Sequence, residues 1–311
     1  MPDASAPPDL EAMRHLLKAL WRYRSGRIDA GVIARLHYRW RRKALLVRLA
    51  AQWPGGAVLH ENGELVYVPR PLDARGKAAL LSPPRVHAAA LAQVPRGGVA
   101  LDIGANLGEW TVPLARAVGA DGRVVAFEPM PVAAKALAET ARLNKLPQVE
   151  IVPAAVSDRA GRAMLAVPKV TSSAVDTGRA HLGAAASGQE AFEVDTVTVD
   201  ALPAVAALSR LDLVKIDVEG HERAVLAAAA ETLRRWRPAV VMETGHEGPG
   251  DRLAIAAQLG GLGFEIAGIL LDHGVASAGW EAYKNAVPPF VPGAAHNLLL
   301  LPSRSSPARS G

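Results

Sequence analysis

From residue 99 the chain alternates between two apolar patterns, and this alternation constrains the fold more than any other feature. VALDIG (99–104), RVVAFEP (123–129), VEIVPAAVS (149–157), LDLVKID (211–217), PAVVMET (238–244), FEIAGILLD (264–272) and HNLLLLP (296–302) are short apolar runs that read as strands. Segments of helical spacing lie between most of them: EWTVPLARAVGA, VAAKALAETARLNK, ERAVLAAAAETLRRW and RLAIAAQLGGLG. Strands alternating with helices predict right-handed βαβ units, hence an α/β fold with a doubly wound, mostly parallel sheet. Ligands of such sheets bind beyond the carboxyl ends of the strands. AMLAVPK and FEVDTVTV add an extra strand pair around a Gly/Ala/Ser-rich loop at 171–190.

The part before this pattern differs. Residues 8–24 and 29–51 show helical spacing, and AVLHENGELVYVP (57–69) has an Asn62–Gly63 turn between two apolar runs, a hairpin signal. Pro83, Pro84, Pro95, Gly97 and Gly98 then punctuate the chain. Three parts are predicted: a basic helical extension with a hairpin (1–95), the main domain (96–302) and a disordered tail (303–311).

The net charge of +5 resides in the first part. Residues 1–60 carry 11 Lys and Arg against 4 Asp and Glu, whereas the remainder carries 24 against 26. Arg22, Arg24, Arg39, Arg41, Arg42 and Lys43 interleave with Trp21, Tyr23, Tyr38, Trp40 and Trp53. Two readings follow. These residues make a peripheral contact with anionic lipid, nucleic acid or another polyanion. Or they form a helical lid whose arginines are solvated or paired with the main domain. The chain has no cysteine, which excludes disulfides, thiolate zinc sites and a cysteine nucleophile. It suits a cytoplasmic location. No apolar run reaches bilayer-spanning length, and the N-terminus lacks the basic start of a secretory signal.

The first strand runs into Asp102-Ile-Gly104-Ala105-Asn106-Leu-Gly108. Gly104 permits a tight turn and Gly108 permits close packing at the start of the next helix. A dinucleotide fingerprint would place glycine where Asn106 stands, so that a pyrophosphate could approach the backbone. Asp102 would repel that pyrophosphate and would welcome a cofactor carrying an ammonium and a sulfonium. Glu128 ends the second strand, where an acid accepts from ribose hydroxyls. An NAD-type oxidoreductase is the competing enzyme reading, disfavoured by Asn106 and Asp102. A membrane- or nucleic-acid-binding protein with a vestigial catalytic domain is a third.

DIGANLG, AFEP, AAVSDRAG, VDAL and especially KIDVEGHE, in this order, resemble the FkbM family of S-adenosylmethionine-dependent methyltransferases. The resemblance covers about residues 96–302. It implies a class I methyltransferase, Rossmann-like fold with seven strands, the last antiparallel. It also implies O-methylation of a hydroxyl on a secondary metabolite, sugar or polyketide. By position, Asp102, Gly104, Ala105, Asn106 and Gly108 would wrap the methionine part of the cofactor and Glu128 would take the ribose. Ser157 and Asp158 would lie near the adenine, although Asp158 also suits a turn into Gly161.

LDLVKIDVEGHER (211–223) collects charge at the end of a buried strand. An alcohol is a poor nucleophile at neutral pH, so a base or a metal should help remove its proton. Asp217 and Glu243, at the ends of adjacent strands and joined by His246, suit Mg²⁺ or Mn²⁺. Alternatively His221 or Glu219 is a metal-free general base. Glu222 reads as a charge favouring the helix N-terminus. Lys215 pairs with a neighbouring acid or contacts cofactor or substrate. Val287-Pro-Pro-Phe290 reads as a substrate-side loop.

Overall fold

Strands with almost no polar side chain carry the architecture. A computed structural model describes residues 56–59, 65–69, 88–171, 174–175, 180–245, 247–271, 274–287, 290 and 296–303. The predicted N-terminal helices with their Arg22–Lys43 cluster, His246 and residues 304–311 lie outside the described residues. In chain order come β1 (Gly56–Leu59), β2 (Leu65–Val68), α1 (Ala88–Leu91), β3 (Val99–Ile103), α2 (Thr111–Val118), β4 (Arg123–Phe127) and α3 (Pro131–Leu143). Then follow β5 (Val149–Val152), β6 (Ala155–Val156), β7 (Gly161–Thr171), β8 (Ala174–Val175), β9 (His181–Leu182), β10 (Gln189–Val197) and α4 (Pro203–Ala206). The last third holds β11 (Leu213–Ile216), α5 (Glu222–Ala228), α6 (Ala230–Trp236), β12 (Ala239–Thr244) and α7 (Pro249–Gly261). It closes with β13 (Phe264–Leu271), β14 (Gly274–Ala276), α8 (Trp280–Lys284) and β15 (His296–Pro302).

Eight strands form one sheet in the order β14–β13–β15–β12–β11–β3–β4–β5. The run from β12 to β5 is parallel, and β15 is antiparallel to both its neighbours. The expected seven strands are present with the last antiparallel, and short β14 adds an eighth against β13. Every residue of β3 and β11 is buried, as befits central parallel strands covered on both faces. Leu101, Ile103, Val214 and Ile216 pack on one face with Val225, Leu226 and Leu233. Ala100 and Leu213 pack on the other with Leu114, Ala115 and Val118 of α2. Asp102 and Lys215 stand opposite one another in register on this second face, the two polar residues among those strands.

Two expected elements come out differently, and a third gains neighbours. VEIVPAAVS, expected as one strand, divides at Pro153, which lacks an N–H for a ladder. Its second half, β6, enters a separate five-stranded sheet by pairing parallel with β10. The expected strand pair is this sheet's long β7–β10 ribbon, with β8 and β9 added on β7. The helix expected through ERAVLAAAAETLRRW divides at Ala229 into α5 and α6. The carboxylate of Asp200, in the VDAL stretch, accepts from the N–H groups of Glu231 (3.0 Å) and Thr232 (2.8 Å) and so caps α6.

β1 and β2 form the expected hairpin. It lies on α3: Tyr67 N–H donates to Thr140 Oγ1 at 2.9 Å and Leu65 N–H to Asn144 Oδ1 at 3.0 Å. Phe290 is buried in edge-to-face contact with Tyr283, so this residue of Val287-Pro-Pro-Phe290 fills the core rather than facing a substrate. Among the described residues no helix is long and apolar enough to cross a membrane.

Candidate functional site

A cavity of about 240 Å³ opens beyond the carboxyl ends of β3, β4, β11 and β12. Its floor is the turn after β3. Gly104 has φ +84, and a Cβ there would lie 1.7 Å from the carbonyl oxygen of Asp217. Only glycine lets the loops after β3 and β11 touch. Gly108 has φ +103, and a Cβ would meet Leu137 Cδ1 at 3.0 Å and Thr140 Cγ2 at 3.2 Å on α3. It serves packing against α3 and does not line the cavity. The N–H groups of Gly104 and Ala105 both donate to the Phe127 carbonyl at 3.0 Å, which ties the turn to β4. Asn106 sits between the glycines with φ +45, a conformation asparagine tolerates better than most residues. Its Oδ1 is buried and has no hydrogen-bond partner among the described residues.

Two carboxyl groups border this floor. Asp102 is buried and accepts from Thr111 Oγ1 at 2.5 Å. Burial raises its pKa to about 6, opposed by the Thr111 bond and by Lys215, with Asp217 pushing the same way as burial. Glu128 accepts from Met130 N–H through Oε1 and from Asn106 N–H through Oε2, each at 2.8 Å. Burial lifts it to about 7; the two N–H groups oppose this, and Asp102 and Asp217 add to it. Each oxygen keeps a lone pair for a ligand hydroxyl.

At the end of the third expected strand, the two residues expected near the adenine stand behind the cavity lining. Ser157 and Asp158 do not line the cavity; Ala154, Ala155 and Val156 do. The chain has left the main sheet at Pro153, so backbone and methyl groups border the space, while exposed Asp158 accepts from Ser157 Oγ at 3.3 Å. Ser157 instead holds His221, its Oγ lying 3.0 Å from Nε2. Desolvation lowers the His221 pKa, opposed by Asp158.

The charged strand end divides. Lys215 is fully buried and does not line the cavity. Its Nζ lies 3.1 Å from Asp217 Oδ2 and 5.3 Å from the Trp110 ring centroid, so pairing with an acid is the reading that holds. Glu222 starts α5 and accepts from Gly220 N–H at 3.1 Å, away from the cavity. Asp217, Glu219 and Glu243 all line the cavity, with carboxylate oxygens within 4.8 Å of one another. Glu219 reaches this place through a left-handed backbone, φ +51, which Gly220 continues at φ +96. Such strained residues cluster where function over-determines them. Thr244 Oγ1 and Gly245 N–H both donate to Glu247, which pins the loop that follows Glu243.

Glu109, Trp110, Leu165, His181 and Leu182 also line the cavity and were not anticipated. Glu109 and Trp110 read as the first turn of a helix, but α2 starts only at Thr111. His181 lay within a loop that carried no pattern. The signal for Glu109 was available: it directly follows the glycine turn.

Six carboxyl groups therefore face the cavity, from Asp102, Glu109, Glu128, Asp217, Glu219 and Glu243, and no Lys or Arg among the described residues does. This donor set, with a partnerless buried Asn106 Oδ1 in the floor, fits a ligand bearing ammonium, sulfonium and ribose hydroxyls.

The Methyltransferase FkbM domain model matches residues 102–272, more than half of the chain. Among solved structures, a methyltransferase FkbM from Methylobacillus flagellatus KT aligns at 15% identity with a TM-score of 0.38. The alignment covers 54% of this chain and 37% of that one, so the chain spans little more than a third of that protein's length. A SAM-dependent O-methyltransferase from Thermotoga maritima aligns at 14% identity and TM-score 0.40, covering 82% of this chain and 80% of that one. A putative rRNA-methylase from Clostridium thermocellum gives 11% identity, TM-score 0.40, and 68% and 90% coverage. No curated protein matches. With a mostly parallel sheet in which β15 runs antiparallel, and with its matched domain, the chain belongs to the FkbM family of S-adenosylmethionine-dependent methyltransferases.

Proposed function

We propose that the protein methylates a hydroxyl group of a small molecule or glycan, with the acceptor seated at the edge formed by Asp217, Glu219 and Glu243. The observation that carries this is the gathering of these three carboxylates at the ends of adjacent strands, against the cofactor loop that Gly104 brings onto Asp217. Bound S-adenosylmethionine supplies a methyl group already activated on sulfur. The protein's part is then to align the acceptor and to relieve its hydroxyl of a proton. Asp102, Ala105 and Asn106 hold the methionine portion, and Glu128, fixed by two N–H groups, takes the ribose. Ala154–Val156 supply the adenine wall. Glu219 or Asp217 accepts the hydroxyl proton. His221 is the weaker candidate, because it is engaged with Ser157.

A second reading has its own support. The carboxylate trio is a hard-oxygen donor set that suits Mg²⁺ or Mn²⁺, which would lower the pKa of a coordinated hydroxyl. The cytoplasm, suggested by the absence of cysteine, remains the proposed location. The division into an extension (1–95), a catalytic domain (96–302) and a tail likewise stands as proposed, with the hairpin of the extension seated on α3. The polyanion or lid role of Arg22, Arg24, Arg39, Arg41, Arg42 and Lys43 concerns residues outside the described ones.

Calorimetric titration with S-adenosylhomocysteine and with NAD⁺ tests the cofactor. Binding of the first and not the second is expected, and the reverse overturns the reading. Transfer of labelled methyl from S-adenosylmethionine to a panel of polyhydroxylated acceptors tests the acceptor class. Label found only on amines or on nucleic acid would reject O-methylation. Repeating the transfer in EDTA separates the two proton-removal readings: full activity excludes the metal.

A further inference from the structure

Glu109 differs from the other five carboxyl groups of the cavity. Asp102 is bonded to Thr111, Glu128 to two N–H groups, and Asp217 to Lys215. Glu219 and Glu243 also have partners. Glu109 makes no hydrogen bond or ion pair with any described residue, yet it is half-buried and lines the cavity.

Its position is set from both sides. Gly108 turns the chain immediately before it, and Thr111, two residues on, is anchored to Asp102. The charged groups that face it are Asp102 from β3, and Asp217 and Lys215 from β11 and its end. Lys215 is the one cation among them, and its Nζ is already taken by Asp217, the Ile216 carbonyl and the Trp110 ring. Negative charge around Glu109 is thus in excess. Its carboxyl is pushed up to about 7, by burial first, then by Asp217 and Asp102, with Lys215 opposing. What such a group lacks is a positive partner, and no described residue provides one.

We propose that Glu109 is the residue by which this cavity distinguishes the charged cofactor from its neutral product. The inference rests on the cavity being the cofactor site. Methyl transfer turns a sulfonium into a thioether, so reactant and product differ by one positive charge at nearly constant shape. A carboxylate in a partly desolvated site feels that charge strongly. An unpartnered Glu109 therefore favours S-adenosylmethionine over S-adenosylhomocysteine and helps the spent product leave.

The test needs no acceptor. Dissociation constants for S-adenosylmethionine, S-adenosylhomocysteine and sinefungin, which carries an ammonium on the carbon that replaces sulfur, are measured by calorimetry. EDTA is present, and the pH is held at about 8.5, above the raised carboxyl pKa. The wild type should bind the two cationic ligands more tightly than the homocysteine analogue. Glu109→Gln should lose about five- to tenfold of that preference, with the homocysteine affinity unchanged within about twofold. Glu109→Asp, which keeps the charge, should recover part of it. The proposal is overturned if the wild type shows no preference, or if Glu109→Gln keeps it. It is also overturned if the variant weakens all three ligands equally. Glu109→Ala provides the same reading should the glutamine variant melt early in thermal unfolding. A wild type that binds none of the three would instead strike the cofactor reading itself.

Discussion

The two sides of the cavity hold their carboxyl groups in different ways. On the side of the β3 turn, Asp102 and Glu128 are buried and fixed by Thr111 and by backbone N–H groups. On the side of β11 and β12, Asp217, Glu219 and Glu243 are half-exposed and sit on loops or strand ends. The first arrangement suits a ligand that is the same at every turnover. The second leaves side chains room to adjust to an acceptor. Preorganisation is thus concentrated at the β3 turn.

The largest expected effect would break the contact between the two sides. Gly104→Ala places a methyl group on the Asp217 carbonyl in a left-handed backbone. A loss above about 3 kcal/mol is expected, seen as failed folding or absent S-adenosylhomocysteine binding. Thermal unfolding and titration report it, and wild-type behaviour would mean that the two loops do not touch.

The half-exposed side is broken through the Lys215–Asp217 pair. Asp217→Asn leaves a buried ammonium without its counter-charge and should destabilise the protein by about 1–3 kcal/mol, since Asp217 itself is 29% exposed. Combining it with Lys215→Met should restore stability without restoring methyl transfer. Denaturant unfolding of both variants checks this. If the double variant is as unstable as the single one, the pair is not what holds this edge.

The fixed side has a pH signature. Glu128 rises from 4.5 to about 7 on folding, so the folded protein holds its proton more tightly than the unfolded chain does. This contribution to stability is full below about pH 4.5 and declines as the pH rises toward 7, then stays constant. Its size is on the order of 3 kcal/mol. Wild type minus Glu128→Gln, measured as unfolding free energy between those pH values, should fall as the pH rises. A flat difference would place Glu128 in water.

The smallest effect lies away from both sides. Asp200→Ala removes the cap of α6 and should cost about 1–2 kcal/mol. The affinity for S-adenosylhomocysteine should not change. A matching loss of affinity would couple α6 to the cavity.

The sheet was legible because buried parallel strands are short, apolar and separated by helical repeats, and β15 matched its predicted bounds, 296–302. The turn after β3 was legible because Asp102, Gly104 and Asn106 crowd one strand end, and the cavity opens on it. What was hidden depends on contacts distant in sequence. Ser157 closes an apolar run as a ligand-facing residue would, but Pro153 had already diverted the chain into a second sheet. Asp200 looks like a turn residue until α6 arrives 31 positions later. His181 became visible only when β9 paired with Leu165 and Ala166 of β7.

That second sheet meets the first through a short piece of backbone. Two residues, Pro153 and Ala154, separate β5 from β6, and β6 pairs with β10 at only two positions. The ribbon beyond them carries Leu165, His181 and Leu182 over the cavity from a direction the main sheet does not control. The front of the cavity is therefore built on the second sheet and its floor on the first.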